Sequence, residues 1–473
     1  MPHGDEVTRW LAGRAVPLGD LAPGGDLACL APLRPALDGV RLVGLGEATH
    51  GSAEFFPLRR RLTELLVREL GFTTLAVEAS AAAARAVDAY VRGGRGDARG
   101  ALAGLGFWTL DTAEMLDVLE WLREHNRTAD RPVRFVGIDP QHPGAALRLL
   151  REHLGGAADE LLAPLDVLAR SRWGQDDPLD PGVEAAARRL EEHVADAAPR
   201  ADTATRADTA AHGRDEEHAA PGGREELREA ARIVRQAADL SSRPFTHADA
   251  ELTLGVARDR YMAENASLLL ADPDAKVVLW AHNGHISKGR HSGGAVTAMG
   301  RHLARAHGPA YYALAGLFGA GEFRAIPRGR FRRAAAMRAL RARLTRLLPS
   351  LRPPSARPPS TPQDTGGARA GEGAAGRRPG TVRFKVPLAG TPLAVEARLA
   401  AACPDDHVVD LRAGERPAAV AEWLAAANHV RAFGAMAGRL TAPLAFMPAV
   451  LAEEFDGLAF VHTSTASTPL PPP

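Results

Sequence analysis

Six side chains able to exchange protons follow directly on predicted strands of this sequence. They are Glu47, His50, Glu78, Asp139, His282 and His285. Taken singly, each is compatible with an ordinary polar turn or with an acid in the first turn of a helix. The carboxyl ends of parallel strands meet at one edge of a sheet, where ligands of open α/β proteins bind. We therefore expect the six side chains to share one site.

The chemistry that such a set supports is narrow. No Gly-x-Ser-x-Gly motif and no cysteine lies next to these residues, so a covalent Ser or Cys nucleophile has no obvious candidate. Gly44-Leu45-Gly46 continues as Glu-Ala-Thr, which matches neither the dinucleotide fingerprint nor the P-loop. What remains is a histidine that activates water, with carboxylates that orient it and exchange a proton.

A metal site is the alternative for the same residue types, because His, Asp and Glu also bind zinc or manganese. Neither His282-x-x-His285 nor the scattered acids has a spacing that is diagnostic of a metal. We favour water activation without a metal, and we expect no cofactor.

The first strand and the first long helix must position Glu47 and His50. The apolar run of residues 41–46 predicts a buried strand, and a helix is predicted from Ser52 or Pro57 to Leu70. Leucines recur on this helix at the helical period, which gives it one apolar face.

Three consecutive arginines on this helix differ in their predicted directions. Arg59 and Arg61 fall at the two edges of the apolar face, so either could reach the site. Arg60 points away from that face and is expected to be solvated.

Further strands are predicted along the chain, with helices between them. They are residues 72–77, 133–138, 276–281, 311–317, 407–411 and 457–461. Short strands that alternate with helices predict an α/β fold with a mostly parallel sheet and helices on both faces.

Two insertions interrupt this alternation. Residues 144–252 are predicted to be helical and to form a cap over the strand ends, with a mobile polar loop at 197–222. Residues 326–381 are rich in Arg, Pro and Gly; 330–348 could form a basic helix, and 349–381 are expected to be disordered. The α/β core then comprises residues 1–143, 253–325 and 382–473.

Composition excludes several classes of partner. The 473 residues carry a formal net charge of +1 and two cysteines, Cys29 and Cys403. This balance predicts no nucleic-acid or membrane partner, and two cysteines are too few for a disulfide framework or a thiolate zinc site. The N-terminal residues lack signal-peptide features, and no apolar run has the length of a membrane span. We expect a cytoplasmic protein with a small-molecule partner, and leave its oligomeric state open.

The motifs around these residues occur in a characteristic order. They are Gly46-Glu47-Ala48-Thr49-His50-Gly51 with Glu54-Phe55 and Arg59, Gly71-Phe72 before Ala76-Val77-Glu78, Gly137-Ile138-Asp139, Arg258-Asp259-x-x-Met262-x-x-Asn265, Trp280-Ala281-His282-Asn283-x-His285, and Phe455-Asp456-Gly457. In this combination the sequence resembles the erythromycin esterase family, which is similar to proteins of succinoglycan biosynthesis.

The resemblance implies metal-independent hydrolysis of an ester, with macrolide lactones as the family's known substrate class. His50 would be the general base that activates water, and Glu47 and Glu78 would orient that water or relay protons. Arg59 would support charge. By the same resemblance, His282 and His285 would polarise or protonate the lactone.

Further assignments complete the hypothesis. Asp139, Asn283 and Trp108 are assigned to substrate contacts. A metal-dependent hydrolase on the same scaffold and a non-catalytic protein that binds a small molecule stay open as alternatives.

Overall fold

The predicted strand ends come together at one edge of a large sheet. The computed structural model describes residues 3–169, 178–208, 223–291, 294, 296–328, 380–389, 393–412, 414–439 and 441–471. In this part of the chain, no helix is both long and apolar enough to cross a membrane.

The strands are β1 Val16–Pro17, β2 Leu42–Leu45, β3 Thr74–Ser80, β4 Arg134–Asp139, β5 Val277–Trp280, β6 Arg290–His291, β7 Val296–Thr297, β8 Tyr311–Pro327, β9 Val382–Val386, β10 His407–Asp410, β11 Ala427–Arg431, β12 Met436–Ala437, β13 Phe446–Val450 and β14 Gly457–Ser464.

The helices are α1 His3–Ala12, α2 Phe55–Leu70, α3 Ala84–Val91, α4 Ala98–Gly104, α5 Ala113–Thr128, α6 Gly144–Leu154, α7 Asp159–Leu162, α8 Pro181–Asp208, α9 Arg224–Ser242, α10 Leu254–Leu268, α11 Asn283–Ile286, α12 Met299–His307, α13 Val395–Ala402, α14 Ala418–Ala425 and α15 Leu451–Glu454.

The central strands of the large sheet are parallel, as predicted. The order is β1-β10-β14-β8-β2-β5-β3-β4, and β9 and β12 pair with β8. From β14 to β4 all neighbours are parallel, whereas β10 pairs antiparallel with both β14 and β1. The expected mixed α/β fold is confirmed.

Helices cover both faces of this sheet at β2. Val43 and Leu45 lie beside the leucines of α2 on one face. On the other face Gly44 lies against Ile286 of α11, where an added Cβ would come within 3.2 Å of that side chain. Because both faces are packed, all four residues of β2 are buried, which explains its continuous apolar sequence.

The arginines of α2 differ in part from their prediction. Arg59 points into the site as predicted, but Arg60 is buried and donates to the Leu21 carbonyl, so its predicted solvation was wrong. Arg61 is buried as well and donates to the carbonyls of Gly25 and Asp26 rather than reaching the site. The cause is that the segment before β2 folds over this side of the helix, which helical periodicity alone cannot show.

β3 is longer than its prediction, and this changes the setting of Glu78. The strand continues to Ser80, and its pairing with β4 shifts register between Val77 and Ser80. Glu78 therefore lies inside the strand at a bulge, not after its end. Bulges re-aim side chains next to functional sites. The following helix begins at Ala84.

The described residues between β4 and β5 contain helices and no strand. Their apolar side chains, among them Leu147, Leu190 and Val234, form a buried cluster separate from that of the sheet. The predicted loop at 197–222 was wrong for 197–208, which continue α8, and 209–222 lie outside the described residues. The domain boundaries themselves stay a prediction.

The second predicted insertion overlaps ordered strands at both ends. β8 continues through Pro327, beyond the predicted end of that strand at 317, and 380–381 lead directly into β9. The possible basic helix at 330–348 and most of the predicted disorder at 349–381 lie outside the described residues.

Gly51 allows β8 to pass directly against the turn that follows β2. A Cβ at this position would overlap the backbone of Arg324, whose N–H donates to the Gly51 carbonyl at 3.0 Å. We predict that Gly51→Ala lowers the free energy of unfolding by about 1–3 kcal/mol, the usual cost of overpacking. Urea denaturation measures it. Gly104→Ala is the matched control, because no atom lies within 4 Å of its added Cβ. Equal stability of the two variants would contradict this packing.

Candidate active site

The turn of residues 46–54, between β2 and α2, places Glu47 and His50 side by side. His50 Nδ1 lies 2.8 Å from Glu47 Oε1, and Arg59 Nη2 lies 2.8 Å from Glu47 Oε2. The Arg59 guanidinium in turn stacks 4.7 Å from the ring centre of Trp280. Burial raises the pKa of Glu47, but Arg59 and His50 outweigh it, and the pKa lies below its usual value.

His50 keeps one ring nitrogen free. Because the Glu47 carboxylate can only accept, the proton of the neutral ring lies on Nδ1 and the lone pair on Nε2. Among the described residues, no group hydrogen bonds to Nε2 of His50. A histidine oriented by a carboxylate, with its other nitrogen open, has the arrangement of a general base.

Backbone hydrogen bonds from four distant segments hold the 46–54 turn. The Glu47 carbonyl accepts from Asn283 N at 2.9 Å, and the Ala48 carbonyl accepts from Phe433 N at 2.8 Å. The Gly51 carbonyl accepts from Ser467 N at 2.8 Å and also from the β8 backbone. The position of His50 is thus set by β8, the end of β5, the chain after β11 and the chain after β14.

Glu78 is the meeting point of three other groups. Its Oε1 accepts from Arg258 Nη2 at 2.8 Å and lies 3.3 Å from His285 Nε2, while Oε2 accepts from the His282 backbone N–H at 3.0 Å. Burial opposes the charge of this carboxylate, but His285 and Arg258 hold its pKa well below the usual value. Glu78 is therefore a fixed anion rather than a proton donor.

His282 has both ring nitrogens engaged by the backbone. Gly284 N–H donates to Nδ1 at 3.1 Å, and Nε2–H donates to the Phe433 carbonyl at 3.0 Å. Burial, together with repulsion from His50 and His285, lowers the pKa of His282 to about 3. The ring is neutral, and its nitrogens are not available to a ligand as the site stands.

His285 is the opposite case. Its Nδ1 lies 2.9 Å from Asp259 Oδ1, and its Nε2 is close to Glu78. Burial lowers its pKa, but Asp259 and Glu78 outweigh burial and raise it to about 10. The ring is therefore an imidazolium at neutral pH, and carboxylates occupy both of its N–H groups.

Asp139, Asn283 and Trp108 occupy different surroundings. Asp139 is fully buried and accepts from Arg258 Nε at 3.0 Å. The Asn283 amide bridges the backbone of Gly316, donating to its carbonyl and accepting from its N–H. The Arg324 guanidinium lies over the Trp108 ring, 5.1 Å from the ring centre. Of the three, Asp139 joins the charged cluster, and their assignment to substrate contacts stays a prediction.

Arg258 and Asp259 are the functional residues for which sequence reasoning proposed no role. Both point from α10 towards the strand ends, where Arg258 bridges Glu78 and Asp139. Burial lowers the pKa of Arg258, but Asp139 and Glu78 outweigh it and raise the pKa further above its usual value. The feature of the sequence that could have indicated a role is the charged pair Arg258-Asp259 within a helix that also carries apolar residues.

A cleft of about 280 Å³ lies between helices α3, α4, α6 and α9, and its lining begins at Ala81, just after β3. Small residues make up most of its wall, including Ala82, Ala101 and Ala146, and charged residues such as Arg85 also line it. His142, which has a positive φ of 60°, follows β4, and its carbonyl accepts from Ser80 Oγ at 3.0 Å. Such strained backbone is concentrated at functional sites.

Comparison with known proteins shows the family of this chain. A family model described as erythromycin esterase matches residues 67–358, more than half of the 473 residues. The chain belongs to the erythromycin esterase family. The matched range includes Glu78, Asp139 and the segment from Arg258 to His285, whereas Glu47, His50 and Arg59 precede it.

This family member has curated relatives in Escherichia coli. It is 28% identical to erythromycin esterase type I over 296 residues, which cover 58% of this chain and 69% of that protein. It is 31% identical to erythromycin esterase type II over 140 residues, 29% of this chain and 33% of that protein. The match to the type II enzyme thus spans only a third of its length.

Solved structures share the fold of this family member. A succinoglycan biosynthesis protein superposes with a TM-score of 0.71 at 17% identity, covering 98% of both chains. A Bacillus cereus protein gives 0.68 at 22% identity over 99% of both. A mutant of the erythromycin esterase EreC in its open conformation gives 0.63 at 20% identity, over 96% of this chain and 98% of that one.

The neutral state of His282 predicts a specific loss of stability in acid. The unfolded chain takes up a proton at this ring near pH 6.5, but the folded chain does so only near pH 3. Stability therefore falls as the pH drops through this window. We predict that His282→Gln has a flatter decline of unfolding free energy between pH 6.5 and 5, above the range where exposed carboxylates titrate. Urea denaturation at both pH values measures it.

The exposed His247 provides the control, because His247→Gln should keep the wild-type slope. An unchanged slope in His282→Gln would show that this ring is not held neutral.

Proposed function

We propose that the protein hydrolyses carboxylic esters by direct attack of a water molecule that His50 activates. The observation that carries this proposal is the Glu47–His50 hydrogen bond of 2.8 Å together with the open Nε2 of His50. The family membership supports ester hydrolysis as the reaction class.

The proposed reaction uses His50 twice. Its Nε2 removes a proton from water while the water oxygen forms a bond to the ester carbonyl carbon, which gives a tetrahedral intermediate. When the C–O bond to the alcohol breaks, the same Nε2–H returns the proton to the departing alkoxide. Glu47 stabilises the transient imidazolium, and Arg59 keeps Glu47 ionised and in place.

The neighbouring groups favour this single-histidine scheme. His282 is neutral with both nitrogens engaged, and both N–H groups of His285 face carboxylates. The hydroxyl group of Ser52, which lies in the 46–54 turn, donates to Glu54 and accepts from Ser464. These engagements support water, rather than a side chain, as the nucleophile.

We infer a lactone or another ester with a bulky apolar part as the substrate, and macrolides as the first class to test. The relatives named erythromycin esterase support this class. The cleft supports the apolar part, because its wall begins at Ala81, three residues after Glu78, at most about 10 Å of extended chain away. Apolar walls with a few polar groups are usual in small-molecule sites.

The wild-type protein should add one water to at least one lactone, and His50→Ala should reduce that turnover on the order of 100- to 10,000-fold, because the general base is lost. Incubation with erythromycin and several other macrolactones, followed by mass spectrometry, measures both. Circular dichroism and thermal unfolding confirm that the variant is folded.

The exposed His193 on α8 supplies the control, since His193→Ala should retain wild-type turnover. Full activity of His50→Ala would remove the mechanism. Loss of activity on treatment with a chelator, restored by a divalent metal, would favour a metal-dependent hydrolase, and binding without any turnover would favour a non-catalytic protein.

Filling the cleft should affect bulky substrates selectively. Ala86 lines the cleft from α3, whereas Ala89 lies on the same helix outside it, and both are exposed. We predict that Ala86→Leu raises KM for bulky esters about tenfold, the usual effect of a changed hydrophobic pocket, and leaves acetate esters unaffected. Steady-state kinetics of both variants test this. Equal KM changes in Ala86→Leu and Ala89→Leu would show that the cleft does not bind the substrate.

A further inference from the structure

Asp259 lies behind the site, on α10, and has no place in the proton transfers described above. Its side chain is 1% exposed. Oδ1 accepts the backbone N–H of Met299 at 2.7 Å and lies 2.9 Å from His285 Nδ1. Because Met299 begins α12, two helices fix this carboxylate relative to the imidazole.

Charged groups from β3 and α10 face His285. Glu78 faces it from β3, Asp259 and Arg258 face it from α10, and the neutral ring of His282 lies within its own segment, 6.4 Å away between ring centres. Behind these stand Asp139 of β4, bound to Arg258, and His302 of α12, whose pKa burial lowers.

The balance of these charges favours a protonated His285. Of the carboxyl groups of this set, those of Glu78 and Asp139 pair with the Arg258 guanidinium, whereas that of Asp259 pairs with His285. A neutral ring would leave this buried set with more uncompensated negative charge. The close approach of Arg258 Nη1 to His285 Nε2, 3.1 Å, opposes protonation, so the second carboxylate at Nδ1 decides the outcome.

We propose that Asp259 is a positioning residue that fixes both the ring orientation and the positive charge of His285, and through His285 the carboxylate of Glu78. Without Asp259, the ring loses its partner at Nδ1 and Glu78 loses a cation at Oε1. Glu78 then keeps only its contacts with Arg258 and the His282 N–H, and these determine the direction of its carboxylate. The effect of Asp259 on turnover rests on the proposed function, whereas its effect on the charge of His285 does not.

The decisive variant is Asp259→Asn, which keeps the size of the side chain and an acceptor for Met299 N–H but removes the charge. We expect His285 to lose its proton at a pH at least one unit lower than in the wild type, followed by NMR of ¹⁵N-labelled imidazole. The alkaline limb of the kcat profile for an ester substrate should move to lower pH in parallel. Asp259→Glu, which restores the charge, should return most of the His285 titration.

Asp239→Asn is the matched control. Asp239 lies on α9 and is also buried, and its Oδ2 accepts from Tyr261 of α10 and from Arg243, which follows α9. We expect neither the His285 titration nor the pH profile to move in this variant.

The outcomes separate the two proposals. A His285 titration that is unmoved in Asp259→Asn, with kcat lowered equally at every pH, would mean that Asp259 only supports packing and would overturn the positioning role. A shifted titration in a protein that hydrolyses no ester would support the role of Asp259 in charging His285 and refute the proposed function. If Asp259→Asn does not fold, the His285 titration of Asp259→Ser decides: a value lowered by a unit or more supports the role, and a wild-type value overturns it.

Discussion

The ion pairs of Arg258 are the interaction on which the rest of the site depends. They compensate the buried carboxylates of Glu78 and Asp139. Removing one partner of such a buried pair leaves an unpaired charge, at a cost of about 3–5 kcal/mol. With Arg258 in place, Glu78 stays ionised and can hold the His282 backbone and the His285 ring. The buried carboxylates of β3 and β4 therefore depend on α10, which supplies the compensating charge of Arg258.

This arrangement separates charge from proton transfer. The pKa of His282 is lowered to about 3 and that of His285 is raised to about 10. Between these pH values His282 stays neutral, and Glu78, Arg258 and His285 keep their charges. His50 lies beside this set, with its ring centre 5.1 Å from that of His282, but donates its hydrogen bond to a different carboxylate, that of Glu47. One histidine with an open nitrogen is therefore placed next to a fixed field, which is the arrangement that general-base chemistry requires.

The sequence allowed the sheet and most of the site to be predicted for a physical reason. Strands buried on both faces are continuously apolar, so the polar residue that ends such a run is conspicuous, as at Glu47 and Asp139. Periodicity allowed either Arg59 or Arg61 to reach the site, and of the two Arg59 does so. It failed for Arg60, because the segment before β2 covers that side of α2. Glu78 was placed after its strand because a bulge leaves no local pattern. The role of Asp259 depends on a contact with His285, 26 residues away, and periodicity carries no information on such contacts.

The backbone hydrogen bonds that hold the 46–54 turn constrain the backbone of the distant segments more than their side chains. The bonds to the carbonyls of Glu47, Ala48 and Gly51 run from backbone to backbone, so they need a particular geometry and not particular side chains. In the chain after β14, the bond from Ser467 is therefore independent of its side chain, whereas Thr465 also binds Glu54 through its hydroxyl. What this segment must keep is its N–H groups: at Ser467, whose N–H reaches Gly51, a proline has none to offer. The position of His50 therefore depends partly on backbone donors that the residue types of this segment do not reveal.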